Sequence, residues 1–225
     1  MTPVMAGLLS AGALASLAWL HLRGVKRTRG ARAAYMSEAM ALIDNPVVTQ
    51  TSIDYPTIEG LFAGRKIRIE PHLDIIALRK LPSLWMMVTA EMARPVEGTL
   101  SVMMRPRNLE YWSPFGELGI EVATPSGWPE HAHIRAGTAR ATLLLDVVEH
   151  HADFLRDPRG KEILVTGRHV RLTWLAAEGD RARYLVTRQA SFEGATLTRD
   201  NALALLQRAV MLAEAIQGAE ETFKR

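Results

Sequence analysis

The seven histidines are the first candidates for chemistry, because imidazole binds metals and transfers protons. His131 and His133 would share one face of a strand, with Glu130 beside them. In Glu149-His150-His151-Ala152-Asp153, a helix would place Asp153 one turn from both His150 and Glu149. Imidazole and carboxylate groups at this spacing can bind zinc or iron, which would suit a metal-dependent hydrolase. The helical group flanks an apolar stripe instead of facing inward, so we interpret these side chains as solvated and predict no metal site.

The sequence lacks the patterns that carry other kinds of catalysis. It contains no cysteine, which excludes disulfides, thiolate metal sites and cysteine nucleophiles. It has neither a Gly-x-x-x-x-Gly-Lys nor a Gly-x-Gly-x-x-Gly phosphate loop, and no Gly-x-Ser-x-Gly elbow. We therefore predict that the protein is not an enzyme, has no catalytic residues and needs no cofactor.

The segment from Pro3 to Leu22 has no charged side chain over 20 residues. As a helix it would be roughly 30 Å long, about the thickness of a bilayer's hydrocarbon core. The sequence predicts a transmembrane helix over residues 1–22. A cleaved signal peptide and a buried core helix are the alternatives; the first normally has a basic start, and the second a polar face.

Small residues recur every four positions in this helix. Gly7, Ala11 and Ala15 form one such row, and Gly12 and Ser16 form a second. Rows of small residues allow another helix to approach closely in lipid. They therefore predict a helix-packing surface, although Ala and Gly are also simply common in such helices.

A basic run follows the apolar segment directly. Its five cations within residues 23–32 are Arg23, Lys26, Arg27, Arg29 and Arg32. Cations are retained on the cytoplasmic side and attract anionic lipid headgroups. This predicts a bacterial inner-membrane protein that crosses once, with a periplasmic N-terminus and a cytoplasmic domain. The chain has 27 Lys and Arg against 24 Asp and Glu, so the part after residue 32 is close to neutral and no nucleic-acid partner is expected.

The remaining chain predicts an α+β domain. A basic juxtamembrane helix and linker would occupy residues 23–54, the folded domain residues 55–217, and a charged tail residues 218–225. Strands are predicted over residues 55–62, 66–70, 84–93, 99–105, 131–136, 162–166, 169–176 and 183–190. Alternation is clearest in Arg65-Lys66-Ile67-Arg68-Ile69-Glu70, which is typical of an antiparallel sheet with one solvated face. Amphipathic helices over residues 142–155 and 200–217 would pack on that sheet.

A weak internal repeat predicts two β-rich halves related by a pseudo-twofold axis. The sequence from Gly64 to Ile69 resembles that from Gly167 to Leu172, and Met87-Val88-Thr89 has a counterpart in Leu185-Val186-Thr187. A Gly-Arg turn followed by alternation also arises by chance.

The long connection over residues 106–129 carries three aromatic side chains, Tyr111, Trp112 and Phe115. Long loops in small domains are often functional, and aromatic side chains anchor protein partners. These three are candidate partner contacts; the alternative is a loop folded back over its own sheet. Trp85-Met86-Met87 and Met103-Met104 are expected to pack a core, with a methionine-lined ligand cavity as the alternative.

Together these features predict a single-pass accessory or scaffold subunit of a respiratory, photosynthetic or transport complex. Its helix would dock against a larger integral membrane protein, and its domain would cover that partner's cytoplasmic face. A membrane-tethered lipid- or small-ligand-binding module is the alternative from a different class, and a metal-dependent hydrolase is the third.

Overall fold

Alternating apolar and charged residues form the strands of one large antiparallel sheet. The computed structural model describes residues 3–75, 81–104, 112–187, 190, 192 and 196–223. Within these ranges the sheet has nine strands in the order β1-β2-β3-β4-β9-β8-β5-β7-β6. The strands are β1 (Asp44–Thr49), β2 (Thr57–Phe62), β3 (Arg65–Asp74), β4 (Ser83–Glu91), β5 (Leu100–Met104), β6 (Ile120–Val122), β7 (Ala132–Ala136), β8 (Gly160–Val165) and β9 (His169–Glu178).

The helices differ greatly in length. They are α1 (Pro3–Tyr35), α2 (Ser37–Met40), α3 (Leu145–Glu149), α4 (Asp153–Arg156), α5 (Arg181–Thr187) and α6 (Arg199–Phe223), with 3₁₀ turns at Pro114–Glu117 and Arg140–Leu144. The 25-residue helix α6 packs against β4 and β9. Its apolar stripe, including Leu206, Leu212 and Ile216, is fully buried.

The core lies between α6 and one face of the sheet, which we call the inner face. In β4 the inner-face residues Leu84, Met86 and Val88 are buried, and in β9 so are Val170 and Leu172. The opposite face, which we call the outer face, carries the alternate side chains. Helices therefore pack on the inner face of the sheet, and α6 leaves the outer face uncovered.

Seven predicted strands overlap observed ones, and the Ala63-Gly64 turn joins β2 to β3 with positive φ angles at both residues. The strand predicted over residues 183–190 is wrong, because residues 181–187 form the helix α5. Leu185 and Val186, which favoured a strand, are exposed in it. Strands β1 and β6 were not predicted.

The predicted fold class needs correction in three respects: the membrane span, the repeat and the helix pair. For the first, no helix in the described ranges combines the length and the apolarity needed to cross a bilayer. Helix α1 runs on through the cationic residues to Tyr35, and glycine, serine and His21 interrupt its apolar half. The prediction of a single-pass helix, and with it the inner-membrane location with a periplasmic N-terminus, is therefore wrong.

The two-halves prediction is also wrong. Met87-Val88-Thr89 lies in strand β4, whereas Leu185-Val186-Thr187 lies in helix α5. Strands β3 and β9, which begin the two supposed halves, both pair with β4 in a single sheet. The similarity between the two segments is therefore limited to their first turn and strand.

The predicted pair of packed helices is observed only in part. The segment predicted as one helix over residues 142–155 is divided into a 3₁₀ turn, α3 and α4. Helix α3 contacts α6, whereas α4 contacts β8. Since the apolar stripe serves two different neighbours, the segment bends between them, and a nine-stranded sheet with one long C-terminal helix replaces the predicted architecture.

Candidate functional site

The outer face places charged side chains in register across neighbouring strands. Glu59 of β2 lies opposite Arg68 of β3, Arg68 opposite Thr89 of β4, and Thr89 opposite Arg171 of β9. The sequence predicted a solvated face from the alternation in β3, but it did not predict which strands would extend it. The result is a continuous polar row on the surface that α6 leaves uncovered.

Arg68 is held between two carboxylates on this row. Its Nη1 donates to Glu59 at 2.8 Å and its Nε donates to Glu70 at 3.1 Å. These contacts, Glu70 first, raise the pKa of Arg68. All three side chains are about half exposed, so the ion pairs add little stability while fixing the direction of each charged group.

Two grooves lie on either side of the Glu59–Arg68 pair. The first has a volume of about 480 Å³ and is lined mostly by polar residues: Arg32, Thr49, Thr51, Asp54, Tyr55, Thr57, Glu59, Arg68, Glu70, Pro71, His72 and Leu73. The second has a volume of about 540 Å³ and includes Val47, Leu61 and Ile67. Both volumes lie in the range of small-molecule sites.

The end of α1 forms one wall of the first groove. Arg32 donates to the carbonyl of Ile53 at 2.7 Å and lies 4.9 Å over the ring of Tyr55. Arg29 donates to the carbonyl of Gln50, and the Gln50 amide donates back to the carbonyl of Arg29 at 3.1 Å. Two of the five cations predicted to face a membrane surface thus attach α1 to the β1–β2 connection.

The other half of the outer face is covered by the chain around Phe115. Glu162 of β8 is fully buried there, and its carboxylate accepts hydrogen bonds from Ser101 at 2.7 Å and from Ser113. It also pairs with Arg171 at 3.2 Å. Phe115 is only 8% exposed and lies under the guanidinium of Arg135. The described part of the loop therefore folds back over the sheet, as in the second of the two interpretations considered from the sequence.

Trp112 is half-buried and joins an aromatic cluster at the boundary between the covered and uncovered halves. Its ring centroid lies 5.8 Å from that of His72 and 6.1 Å from that of Trp85. Burial is the main cause that lowers the pKa of His72, which favours the neutral imidazole. Tyr111, the remaining aromatic candidate, lies outside the described residues.

Helix α1 exposes its apolar side chains over most of its length. Leu14, Leu17 and Leu22 are 68%, 63% and 66% exposed, and Trp19 is 57% exposed. Ala11, Ala15 and Ser16 are exposed as well, and a Cβ added at Gly7 or Gly12 would meet nothing within 4 Å. The predicted helix-packing residues therefore face open space.

The cationic residues of α1 that precede Arg29 are also exposed. Arg23 lies 5.1 Å over the ring of Trp19, and Lys26 and Arg27 project to the surface. They follow directly on the exposed apolar segment. Residues 11–27 thus form a free surface with an apolar part and a positive part.

The histidine groups do not converge on a common point. His131 and His133 are exposed beside β7, and the Nδ1 of His150 contacts the carbonyl of Asp146 at 2.8 Å. Asp153 is bound by both terminal nitrogens of Arg208, at 2.5 and 2.7 Å. This contact is the first cause that lowers the pKa of Asp153. Within the described residues, no three His, Asp or Glu side chains lie where they could hold a metal ion.

The methionines singled out from the sequence pack the interior. Met86 and Met103 are fully buried, and Met87 is 5% exposed. The burial of these three methionines agrees with the core interpretation, whereas Trp85 and Met104 of the same two runs are only half-buried. The grooves of the outer face have other linings.

Comparison with known proteins gives little further guidance. No protein-family model matches the sequence, and no curated protein matches it. Among solved structures, the chain is similar to the crystal structure of the mycobacterial trehalose monomycolate transport factor A, with 9% sequence identity and a TM-score of 0.42. That match covers 83% of this chain and 96% of the other.

Proposed function

We propose that this protein is a non-catalytic accessory or scaffold subunit of a larger protein complex, bound to it through α1. The exposure of the apolar side chains of α1 is the observation that carries the proposal. Burying the exposed apolar surface of such a helix against a partner would gain roughly 25 cal/mol per Å² relative to leaving it in water. Such surfaces on folded proteins mark interaction sites.

The occupant that fits α1 is an apolar helix of a partner protein, with acidic residues beside it. Small residues at Gly7, Ala11 and Ala15 allow a second helix to approach closely, and the leucines supply apolar area. No acidic residue occurs in the chain before Glu38, so the cations from Arg23 to Arg27 have no intrahelical counter-charge. A second copy in parallel orientation would set like charges side by side, which disfavours a homodimer.

The sheet domain would then be held against the complex at the point where α1 attaches. Arg29 and Arg32 support this role, because they fix the direction in which α1 leaves the sheet. The sequence patterns of phosphate-loop and serine-elbow enzymes are missing, which is consistent with a non-catalytic subunit.

The test is purification of the complex from its native source, followed by reconstitution of the pair from purified chains. We expect one defined partner, whose binding is lost in the variant Leu14→Gln/Leu17→Gln/Leu20→Gln. The matched control is Val186→Gln, which changes an 84% exposed valine of α5 and should bind normally. We also expect substitution of acidic residues on the partner helix to weaken binding.

Migration of the native protein as a lone monomer or a homodimer would contradict the proposal. So would a partner whose affinity is the same for wild type and for the α1 variant. The identity of the partner would decide between respiratory, photosynthetic and transport assemblies.

A further inference from the structure

The two grooves of the outer face form one continuous surface. Glu59 and Arg68 line both of them, so no intervening strand separates the two. Their volumes, about 480 and 540 Å³, are each sufficient for part of one elongated molecule. The chemistry of their linings differs, which determines the kind of molecule that fits.

The first groove suits an uncharged group with several hydroxyls. Its lining supplies four hydroxyl side chains that can both donate and accept: Thr49, Thr51, Tyr55 and Thr57. Its charges nearly cancel, with two guanidinium groups against three carboxylates. An anionic group would meet the carboxylates, and a cation would compete with Arg68 for them.

The polar groups of this groove are fixed before any ligand arrives. Arg68 is held at 2.8 and 3.1 Å by Glu59 and Glu70, and Arg32 is held by the carbonyl of Ile53. Fixed donors and acceptors lower the entropy lost on binding.

The second groove offers carbon surface. Val47 is 61% exposed on the edge strand β1, and Leu61 of β2 lies on the same face. Lys66 and Glu91, which also line this groove, neutralise each other in an ion pair at 3.7 Å. This surface suits a short aliphatic chain.

We propose that the outer face binds an amphiphile, with a neutral polyhydroxyl headgroup in the first groove and an alkyl chain in the second. The site lies on β1, β2, β3 and the end of α1. It does not involve the apolar segment of α1 on which the accessory-subunit proposal depends.

The test is titration of the full-length protein with octyl β-glucoside below its micelle concentration, followed by calorimetry. Glucose tests the headgroup alone, and octyl phosphate and octyltrimethylammonium test charged headgroups. We expect saturable binding of octyl β-glucoside at one site, at least about tenfold tighter than glucose, because burial of even a few methylenes accounts for this difference. Both charged amphiphiles should bind more weakly.

Two site variants and two controls locate the site. Arg68→Met and Val47→Asn should each weaken binding by about fivefold or more, the loss of one hydrogen bond or one apolar contact. Glu121→Gln, on β6 at the far edge of the same face, should bind like wild type. The α1 variant Leu14→Gln/Leu17→Gln/Leu20→Gln should also bind normally, which separates this site from the docking helix.

The proposal is overturned if octyl β-glucoside shows no saturable binding, or if glucose binds as tightly. Stronger binding of either charged amphiphile would overturn the headgroup assignment. Binding that survives both groove variants, or that disappears in the α1 variant, would place the amphiphile elsewhere.

Discussion

The hydroxyl of Tyr35 is buried with no hydrogen-bond partner among the described residues. The side chain is 6% exposed, and its ring packs edge-on against Tyr55 at 5.5 Å. An unpaired buried hydroxyl costs about 1–3 kcal/mol. We expect Tyr35→Phe to keep the ring packing and to raise the free energy of unfolding by about 1 kcal/mol, the low end of that range, measured by urea denaturation at pH 7.

The same residue makes stability depend on alkaline pH. Burial, the main cause, raises the pKa of Tyr35 to about 12. The unfolded chain releases this proton near its ordinary pKa of about 10, whereas the folded protein retains it to about 12. The wild type should therefore lose stability as pH rises from 10 to 12, and Tyr35→Phe should lose less. A variant that is less stable at pH 7, or that has an unchanged alkaline decline, would contradict this account.

Glu162 connects the covering segment around Phe115 to the sheet. Its carboxylate binds Ser101, Ser113 and Arg171 while fully buried. We expect Glu162→Gln to lower the free energy of unfolding by about 3 kcal/mol, since it leaves a mostly buried guanidinium without its counter-charge. Ser113→Ala should cost about 1 kcal/mol and alter the fluorescence of the neighbouring Trp112.

The control for these two variants is Glu121→Gln. The Glu121–Arg135 pair is 3.8 Å long and its carboxylate is mostly exposed, so its loss should cost less than about 0.5 kcal/mol. Equal effects of Glu162→Gln and Glu121→Gln in urea denaturation would show that the buried carboxylate has no special role.

At the scale of the elements, strand β1 depends on a close approach to β2. A Cβ at Gly60 would lie 2.7 Å from the carbonyl oxygen of Asp44 and would also collide with Ile43. Gly60→Ala should therefore displace β1 and lower the free energy of unfolding by about 1–3 kcal/mol. Gly116→Ala is the control, because an added Cβ meets nothing within 4 Å there. Similar thermal unfolding of the two variants would contradict the packing argument.

The sequence predicted correctly those elements whose local residue pattern matches the environment that their neighbours provide in the fold. Strand β3 alternates apolar and charged residues because one of its faces packs on the core and the other does not. Strand β1 was missed since Asp44-Asn45-Pro46 reads as the end of a helix; proline is accommodated there because β1 is an edge strand. Helix α5 was missed because Leu185 and Val186 favour a strand, and local context overrides that preference here.

The candidate site could be predicted only in part. The solvated face follows from the alternation in β3, but the grooves require β1, β2, β3 and the end of α1 together. Arg32 and Glu70 are far apart in the sequence, and nothing in the local pattern indicates that both line one groove. The predicted histidine pairs lie on separate surfaces. Strand and helix periodicity could not reveal this, since it does not say which side chains of different elements meet.

At the scale of the whole molecule, most of α1 is exposed, whereas the sheet and its helices are packed into a core. Residues 11–24 of α1 are exposed throughout, whereas Tyr35 and Met36 enter the core. The cations divide in the same way: Arg23, Lys26 and Arg27 stay on the surface, and Arg29 and Arg32 bind the β1–β2 connection. The docking that we propose through α1 would therefore require no change in the sheet.

This division predicts that polar substitutions in α1 change association and leave folding unaltered. The variant Leu14→Gln/Leu17→Gln/Leu20→Gln should keep the free energy of unfolding within about 0.5 kcal/mol of wild type, because exposed positions contribute little to stability. Analytical ultracentrifugation of the chain mixed with its purified partner should show a complex for the wild type and much less of it for the variant. A large fall in the unfolding midpoint of the variant would mean that α1 packs against the sheet in solution. In that case its leucines would be part of the core and would not be available to a partner.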